Sequence, residues 1–417
     1  MSVGRTAAIT AVGAFVPDEV LSNADLEQMV DTSEDWISSR TGISERRILK
    51  DKPTSFMAIQ AARNLIERSL IDPKTIDLVL VSTATPDMLI AATAAHVATE
   101  IGATNAFGYD LQAACSGFLY GMSTAAAYVS SGRYQRVLLI GADKMSSIID
   151  YNDRTTCIIF GDGAGAVLFE PNEEGLGFQD EYFRSDGIGR EHLYIKAGGS
   201  MLPASAETVS NGQHFLRQDG KTVFKFAVSN MADAAIKVME RNELVADDID
   251  FFVPHQANKR IIDATAQRTG FKPEKVLSNI SSYGNTTAAT LPLILSDFEH
   301  RFQKGDDSLL PAQDGAVRTL KLKGEWILEA LEDGKTRLTY EVNADPGGLL
   351  PAWLVNLGSR KLPLKTLKNM REQLKAPEAY SRARLIVKYS YDFEDYLSTD
   401  HPVFAKTEAE EMEAQKA

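Results

Sequence analysis

The sequence predicts an α/β fold from Thr6 to about Phe302, followed by a small α+β segment. Three observations predict it. Apolar, β-rich runs alternate with helical patterns over that stretch, which implies a mostly parallel sheet covered on both faces. Glycine and proline punctuate the joints, as at Gly161-Asp-Gly-Ala-Gly165 and Tyr283-Gly-Asn285. The texture changes after Asp307, where Arg318–Leu331 and Lys335–Ala344 alternate about Glu332-Asp-Gly334, a hairpin signal.

In chain order, the expected strands are Thr6–Gly13, Leu78–Thr83, Asn105–Gln112, Arg136–Gly141, Cys157–Phe160, Ala164–Phe169, Asp250–Pro254 and Lys275–Ile280. The expected helices are Phe56–Ser69, Ala91–Ile101, Ser116–Ser131, Phe224–Asn242, Lys259–Thr269 and Thr286–Arg301. The segment Phe178–Lys221 is irregular and rich in Gly, Ser and charge, and reads as an excursion lining a pocket. Beyond the hairpin, Ala344-Asp-Pro-Gly-Gly-Leu-Leu-Pro351 is a turn, and Pro351 suits the first position of a helix running to about Leu374. An acidic tail follows from Thr407.

The chain has 417 residues, enough for two or three domain-sized units. A net charge of −13 argues against a nucleic-acid binder, which would show a basic face. Two cysteines and no secretory h-region suggest a reducing cytoplasm, and no run approaches a membrane span. Six scattered histidines, none at metal-ligand spacing from a cysteine, make a metal site an unlooked-for feature.

Cys115 is the most informative residue. In Asp110-Leu-Gln-Ala-Ala-Cys-Ser-Gly-Phe118 it stands between a strand and a helix start, where the partial positive charge of the helix N-terminus favours thiolate, the nucleophilic form. Alone, such a cysteine is more often a small buried hydrophobe. Two further motifs decide against that reading: Phe252-Val-Pro-His-Gln-Ala-Asn258 and Asn279-Ile-Ser-Ser-Tyr-Gly-Asn-Thr-Thr287, each after a strand run. Reactive groups in open α/β sheets gather at such strand ends. A Cys/His/Asn set suits thioester chemistry, with Cys115 acylated and His255 and Asn285 donating to an enolate or oxyanion. Gly161-Asp-Gly-Ala-Gly165 lacks the P-loop lysine and the dinucleotide spacing and reads as a tight-packing turn. Cys157, among apolar neighbours, reads as inert.

With these motifs, and with Val30-Asp-Thr-Ser-Glu-Asp-Trp-Ile-Ser-Ser-Arg-Thr-Gly42, residues from about Ser2 to Asp306 resemble β-ketoacyl-acyl carrier protein synthase III of the thiolase-like superfamily. The resemblance implies two βαβαβ-type halves, 1–172 with the nucleophile and 173–306 with His255 and Asn285, in a layered α-β-α-β-α arrangement. It implies that Cys115 takes an acetyl or short acyl group from coenzyme A and that decarboxylating malonyl-acyl carrier protein attacks it, with no bound cofactor or metal. Trp36, Arg40 and Arg154 match residues that hold the adenine end of coenzyme A, and Asn258 matches one near the acyl site. Lys259 and Arg260 match a basic rim for the acidic carrier protein. Met88–Ile90 stand where a pocket wall would set acyl chain length, and the resemblance also implies a homodimer.

The C-terminus departs from that family. No Phe-Gly-Gly-Gly-Phe-like loop follows Asp306, so the backbone N–H it would supply to an oxyanion hole is not expected, at a cost of about two or three orders of magnitude in rate. Instead, Gly324-Glu-Trp326, Gly334-Lys-Thr-Arg-Leu-Thr-Tyr340 and Asp345-Pro-Gly-Gly-Leu-Leu-Pro-Ala-Trp-Leu-Val-Asn356 resemble the C-terminal part of a START lipid-transfer domain. The expected divisions are therefore 307–376, START-like, and 377–417, a charged tail. Three functions compete: an acyltransferase that initiates fatty acid synthesis, a lipid-binding protein on a thiolase-like scaffold, and a related condensing enzyme with another acyl starter.

Overall fold

The computed structural model describes residues 5–303, 321–330, 336–345 and 388–391, and two compact units divide at His300 and Arg301. In the first unit the strands are β1 (Thr6–Phe15), β2 (Val20–Ser22), β3 (Glu45–Arg47), β4 (Leu78–Ser82), β5 (Phe107–Leu111), β6 (Val137–Asp143), β7 (Gly163–Asn172), β8 (Leu193–Ile195) and β9 (Leu216–Gln218). The helices are α1 (Asn23–Glu27), α2 (Glu34–Thr41), α3 (Thr54–Ser69), α4 (Thr93–Glu100), α5 (Gly117–Ser130), α6 (Ala206–Ser210), α7 (Gly220–Arg241), α8 (Lys259–Thr269), α9 (Ile280–Tyr283) and α10 (Thr290–Gln303).

The central sheet has the order β1-β7-β6-β4-β5. Strand β4 pairs in parallel with β5 and β6, whereas β7 runs antiparallel to both β6 and β1. Four strands thus share one direction and β7 opposes them, a mixed sheet with a mainly parallel sense. Alternate residues of the buried strands feed opposite layers, as the period of two requires. Val79, Val81, Leu138, Ile140 and Leu168 pack with α3 and α4 residues such as Met57, Leu65 and Val97. Leu78, Leu80, Leu139, Val167 and Phe169 pack with Phe118, Ala125 and Val129 of α5. Every residue of β4 is buried, which is why its sequence reads as an unbroken apolar run.

Three expected strands are corrected. Cys157–Phe160 is a series of turns that touches Asn285 in one parallel bridge, and Asp250–Pro254 meets Lys275–Ile280 in one bridge, Phe252 to Val276. A ladder needs successive paired residues, and here the pairing is limited to the N–H of Phe252 on Lys275 and the N–H of Leu277 on Phe252. Helix α8 spans the predicted residues. The irregular stretch after β7 holds only the β8–β9 pair, α6 and a 3-10 turn.

In the second unit, β10 (Lys321–Ala330) and β11 (Thr336–Asp345) form the expected antiparallel hairpin, and β12 (Lys388–Tyr391) pairs with both. The Glu332–Gly334 turn, the expected helix after Pro351 and the acidic tail lie outside the described residues.

Candidate active site

Strand β5 ends at Leu111, and the chain turns through Ala114 to Ser116 before α5 begins at Gly117. Ala114 holds a left-handed φ of 45°, a strained geometry for a residue with a Cβ, which sets Cys115 at the tip of a tight elbow. Close packing behind the elbow needs Gly117, because a Cβ there would sit 2.1 Å from Ser82 Oγ. The Ser116 side chain makes no capping bond, and the Ser116 and Gly117 N–H groups are taken up by the Ala113 and Ala114 carbonyls, so what the helix start offers the cysteine is the positive end of its dipole.

Cys115 is partly exposed at the wall of a 1510 Å³ cavity. Burial, and next the carboxylate of Asp143, push its thiol up to about 12, while its own backbone N–H and the Asn285 side chain pull the other way. The sequence expectation of a resting thiolate is therefore corrected. The thiol keeps its proton at rest, and the helix N-terminus serves the sulfur once charge develops on it.

His255 and Asn285 open on the same cavity. Nδ1 of His255 lies 2.7 Å from Thr290 Oγ1, and Nε2 is buried without a protein partner. Burial holds the imidazole down at about 4, so the ring is neutral near pH 7. Asn285 Oδ1 accepts the Thr287 N–H at 2.9 Å, which leaves the amide nitrogen as the group that faces the sulfur. The backbone of Asn285 is fastened to the glycine-rich run: its N–H donates to the Ile159 carbonyl at 2.9 Å, and its carbonyl accepts from Gly161 at 3.1 Å. Gly161 and Gly284 permit this approach, since a Cβ would stand 2.3 Å from the Tyr283 carbonyl oxygen or 2.7 Å from that of Ile159. Gly161 packs against the Asn285 turn, but the reading of Gly161–Gly165 as one tight turn is corrected, because Gly163–Gly165 pair with β1 and β6 as the start of β7.

Sequence reasoning missed three supports. Asp143, fully buried at the end of β6, accepts from Ala84 N–H at 2.7 Å, from the Thr83 and Thr85 hydroxyls at 3.1 Å each, and from Ala288 N–H at 3.0 Å. It clasps the loop after β4 to the Asn285 turn, and burial raises its carboxyl to about 6. Arg46, fully buried, donates to Asn23 Oδ1 at 2.9 Å and to the Ile158 carbonyl at 2.8 Å, bracing the strip that holds Asn285. Thr290 is the third. A carboxylate closing the buried run Val137–Asp143 was the one signal available.

Trp36, Arg40, Asn258 and Arg260 line the same cavity. Arg154 stands behind Trp36, its guanidinium 5.5 Å from the ring centroid and its Nη1 bonded to the Asp31 carbonyl at 2.6 Å. Arg260 stacks on Phe224 at 5.3 Å, and Asn258 caps α8 by accepting from the Arg260 N–H at 2.9 Å. Lys259 pairs with Asp263 on the outer face of α8 and is not among the lining residues. Residues 178–186 contribute wall, as expected of the excursion after β7, whereas Met88, Leu89 and Ile90 stand exposed and are absent from the lining of this single chain.

A family profile for 3-oxoacyl-[acyl-carrier-protein (ACP)] synthase III matches residues 109–187, and that for its C-terminal part matches 239–316. The chain is 54% identical over 310 residues to the β-ketoacyl-[acyl-carrier-protein] synthase III of Chlorobaculum tepidum, covering 73% of this chain and 94% of that protein. The solved β-ketoacyl-[acyl carrier protein] synthase III of Thermus thermophilus superposes with a TM-score of 0.65 at 42% identity, over 71% of this chain and 91% of that one. The priming β-ketosynthase of the R1128 polyketide pathway superposes with a TM-score of 0.64 at 35% identity, over 72% and 89%.

Proposed function

The chain belongs to the 3-oxoacyl-[acyl-carrier-protein] synthase III family, and we propose that Cys115, His255 and Asn285 perform that family's reaction here. It is an acyltransferase that condenses an acyl group from coenzyme A with malonyl-acyl carrier protein and so initiates fatty acid synthesis. The observation that carries the residue assignment is the convergence of the three side chains on one cavity, with the Asn285 amide turned to the Cys115 sulfur.

In the first half-reaction the Cys115 sulfur bonds to the acyl carbon and coenzyme A departs as a thiol, carrying the proton the cysteine gives up. The positive end of the α5 dipole favours the sulfur as it becomes anionic. In the second, the bond from malonyl to its carboxylate breaks, carbon dioxide leaves, and the electron pair moves onto the thioester oxygen as an enolate. His255 Nε2 and the Asn285 amide donate to that oxygen, and a neutral imidazole suits the role because decarboxylation needs no base. The enolate carbon then attacks the acyl-Cys115 carbonyl and expels the sulfur. Trp36, Arg40 and Arg154 hold coenzyme A, Asn258 borders the acyl site, and Lys259 and Arg260 meet the acidic carrier. The sequence after Asp306 contains no Phe-Gly-Gly-Gly-Phe-like loop, so an oxyanion hole without that loop's N–H is expected to slow turnover.

The family's dimer extends to this chain: β5 is a sheet edge, Phe107 on it is 45% exposed, and Met88–Ile90 form an exposed apolar run nearby in sequence. Light scattering reads the mass directly. Two free cysteines suit a cytoplasmic site. Assay of condensation by Cys115→Ala, His255→Ala and Asn285→Ala tests the assignment; any one retaining wild-type rate removes that residue from it.

One observation favours a different acyl starter. Beyond the residues given to coenzyme A, the cavity continues along Val223, Ala227 and Val238 of α7, an apolar wall that suits an acyl group longer than acetyl. Higher kcat/KM for acetyl-coenzyme A than for long acyl donors would exclude it. A lipid at the START-like segment is the remaining reading, supported by the β10–β11 hairpin, and deletion of residues 308–417 tests it by abolishing or sparing lipid binding.

A further inference from the structure

We propose that Gln256 is the positioning residue that sets the spacing between His255 and Asn285, its side-chain amide spliced into a broken strand pair; this rests on the place in the reaction given to His255 and Asn285 above.

Pro254 breaks the pair. In a parallel ladder one residue bonds the two residues that flank its partner. Phe252 does so: its N–H donates to the Lys275 carbonyl at 2.8 Å, and its carbonyl accepts the Leu277 N–H at 3.0 Å. Two residues on, the same task falls to position 254, which would donate to Leu277 and accept from Asn279. Proline has no N–H to give. The Gln256 amide stands in for the missing rung. Its Nε2 donates to the Pro254 carbonyl at 2.7 Å and makes a longer contact with the Leu277 carbonyl at 3.5 Å. Its Oε1 accepts the Asn279 N–H at 3.2 Å and the Ser278 hydroxyl at 2.9 Å. A backbone N–H can only donate and a carbonyl only accept, so the amide has one orientation here. Gln256 is 0% exposed, so water does not replace these bonds. One amide thus separates Pro254, the residue before His255, from Asn279, which opens the α9 turn into Asn285. Asn279 is held from behind as well, its Nδ2 donating to Asp297 Oδ2 of α10 at 2.9 Å. Among the described residues, the Gln256 side chain bonds none of the β5–α5 elbow that carries Cys115.

The test uses the full chain with Gln256→Met, which keeps the side-chain length and removes the amide, and with Gln256→Glu. Acetylation of Cys115 by acetyl-coenzyme A and condensation with malonyl-acyl carrier protein are timed separately. Gln256→Met is expected to lower condensation about ten- to a hundredfold more than acetylation, because the elbow is untouched. Gln256→Glu is expected to recover most of that loss at about pH 5.5, where a protonated carboxyl still donates to Pro254 and accepts from Asn279, and to lose it again by about pH 8. Hydrogen exchange reads the splice itself. In Gln256→Met the Asn279 amide exchanges about two- to tenfold faster, as loss of one hydrogen bond implies, while the Leu277 amide, bonded to Phe252, keeps its wild-type rate. Equal loss in both half-reactions marks a merely structural glutamine, and an unchanged Asn279 amide shows that the splice is not there; either result overturns the proposal. If His255→Ala and Asn285→Ala condense normally, the reading of the site fails, and the Asn279 exchange tells that failure from this one.

Discussion

The backbone N–H of Asn285 donates to the carbonyl of Ile159 across 2.9 Å, so the turn that carries Asn285 hangs from a glycine-rich strip more than a hundred residues away in sequence. Gly284 makes the approach achievable: its φ is 65° and a Cβ would stand 2.7 Å from that same carbonyl oxygen. Gly284→Ala therefore strains the turn by about 1–3 kcal/mol. Thermal unfolding should shift down by several degrees, and condensation should fall further than acylation, because Asn285 is displaced and Cys115 is not. Unchanged melting and rates would contradict this role for the strip.

Asp143 makes the second clasp. In Asp143→Asn, one oxygen keeps its bonds and the new amide N–H opposes either the Ala288 N–H or the Ala84 N–H, since a carboxamide cannot accept on both sides. An unsatisfied buried donor costs about 1–3 kcal/mol. Denaturant titration is expected to show a loss of that order, and a variant as stable as wild type would refute the clasp.

The buried histidine makes a pH prediction. His255 titrates near 4 in the folded chain against an ordinary 6.5, so between those values the unfolded chain binds the extra proton. The contribution of His255 is complete above 6.5 and is lost as pH falls toward 4. Asp143, raised to about 6, acts in the opposite sense over part of that window, losing stability as pH rises from 3.8 to 6. The stability difference between wild type and His255→Gln should thus grow from pH 5 to pH 6.5 and level off above. A difference that stays constant over that range would contradict the burial of the ring.

Trp36 faces the cavity with Arg154 stacked behind it. Trp36→Ala removes a stacking surface worth about 1–3 kcal/mol for a nucleobase. KM for acetyl-coenzyme A should rise about five- to a hundredfold, with the rate at saturation nearly kept. A drop in kcat at unchanged KM would place Trp36 elsewhere in the mechanism.

Much of the frame was legible because buried strands such as Leu78–Ser82 and a helix such as Lys259–Thr269 declare themselves by run and period. Cys157–Phe160 misled, because its apolar residues serve a turn-rich strip packed around Ile149 and Phe160 rather than a ladder. The motifs named Cys115, His255 and Asn285 but not what holds them. Asp143, Arg46 and Thr290 act through partners 23 to 145 residues away, a relation that periodicity does not encode. The charge state of Cys115 was misjudged for a related reason: a helix start is visible in sequence, whereas burial against Asp143 is a property of the folded chain.

The most direct measurement is the intact mass of the full chain after incubation with acetyl-coenzyme A, followed by peptide mapping. The predicted result is one acetyl group per chain, on Cys115, absent in Cys115→Ala and discharged when malonyl-acyl carrier protein is added. An unmodified Cys115 with every acyl-coenzyme A donor tried, or an adduct that survives in Cys115→Ala, would contradict the account.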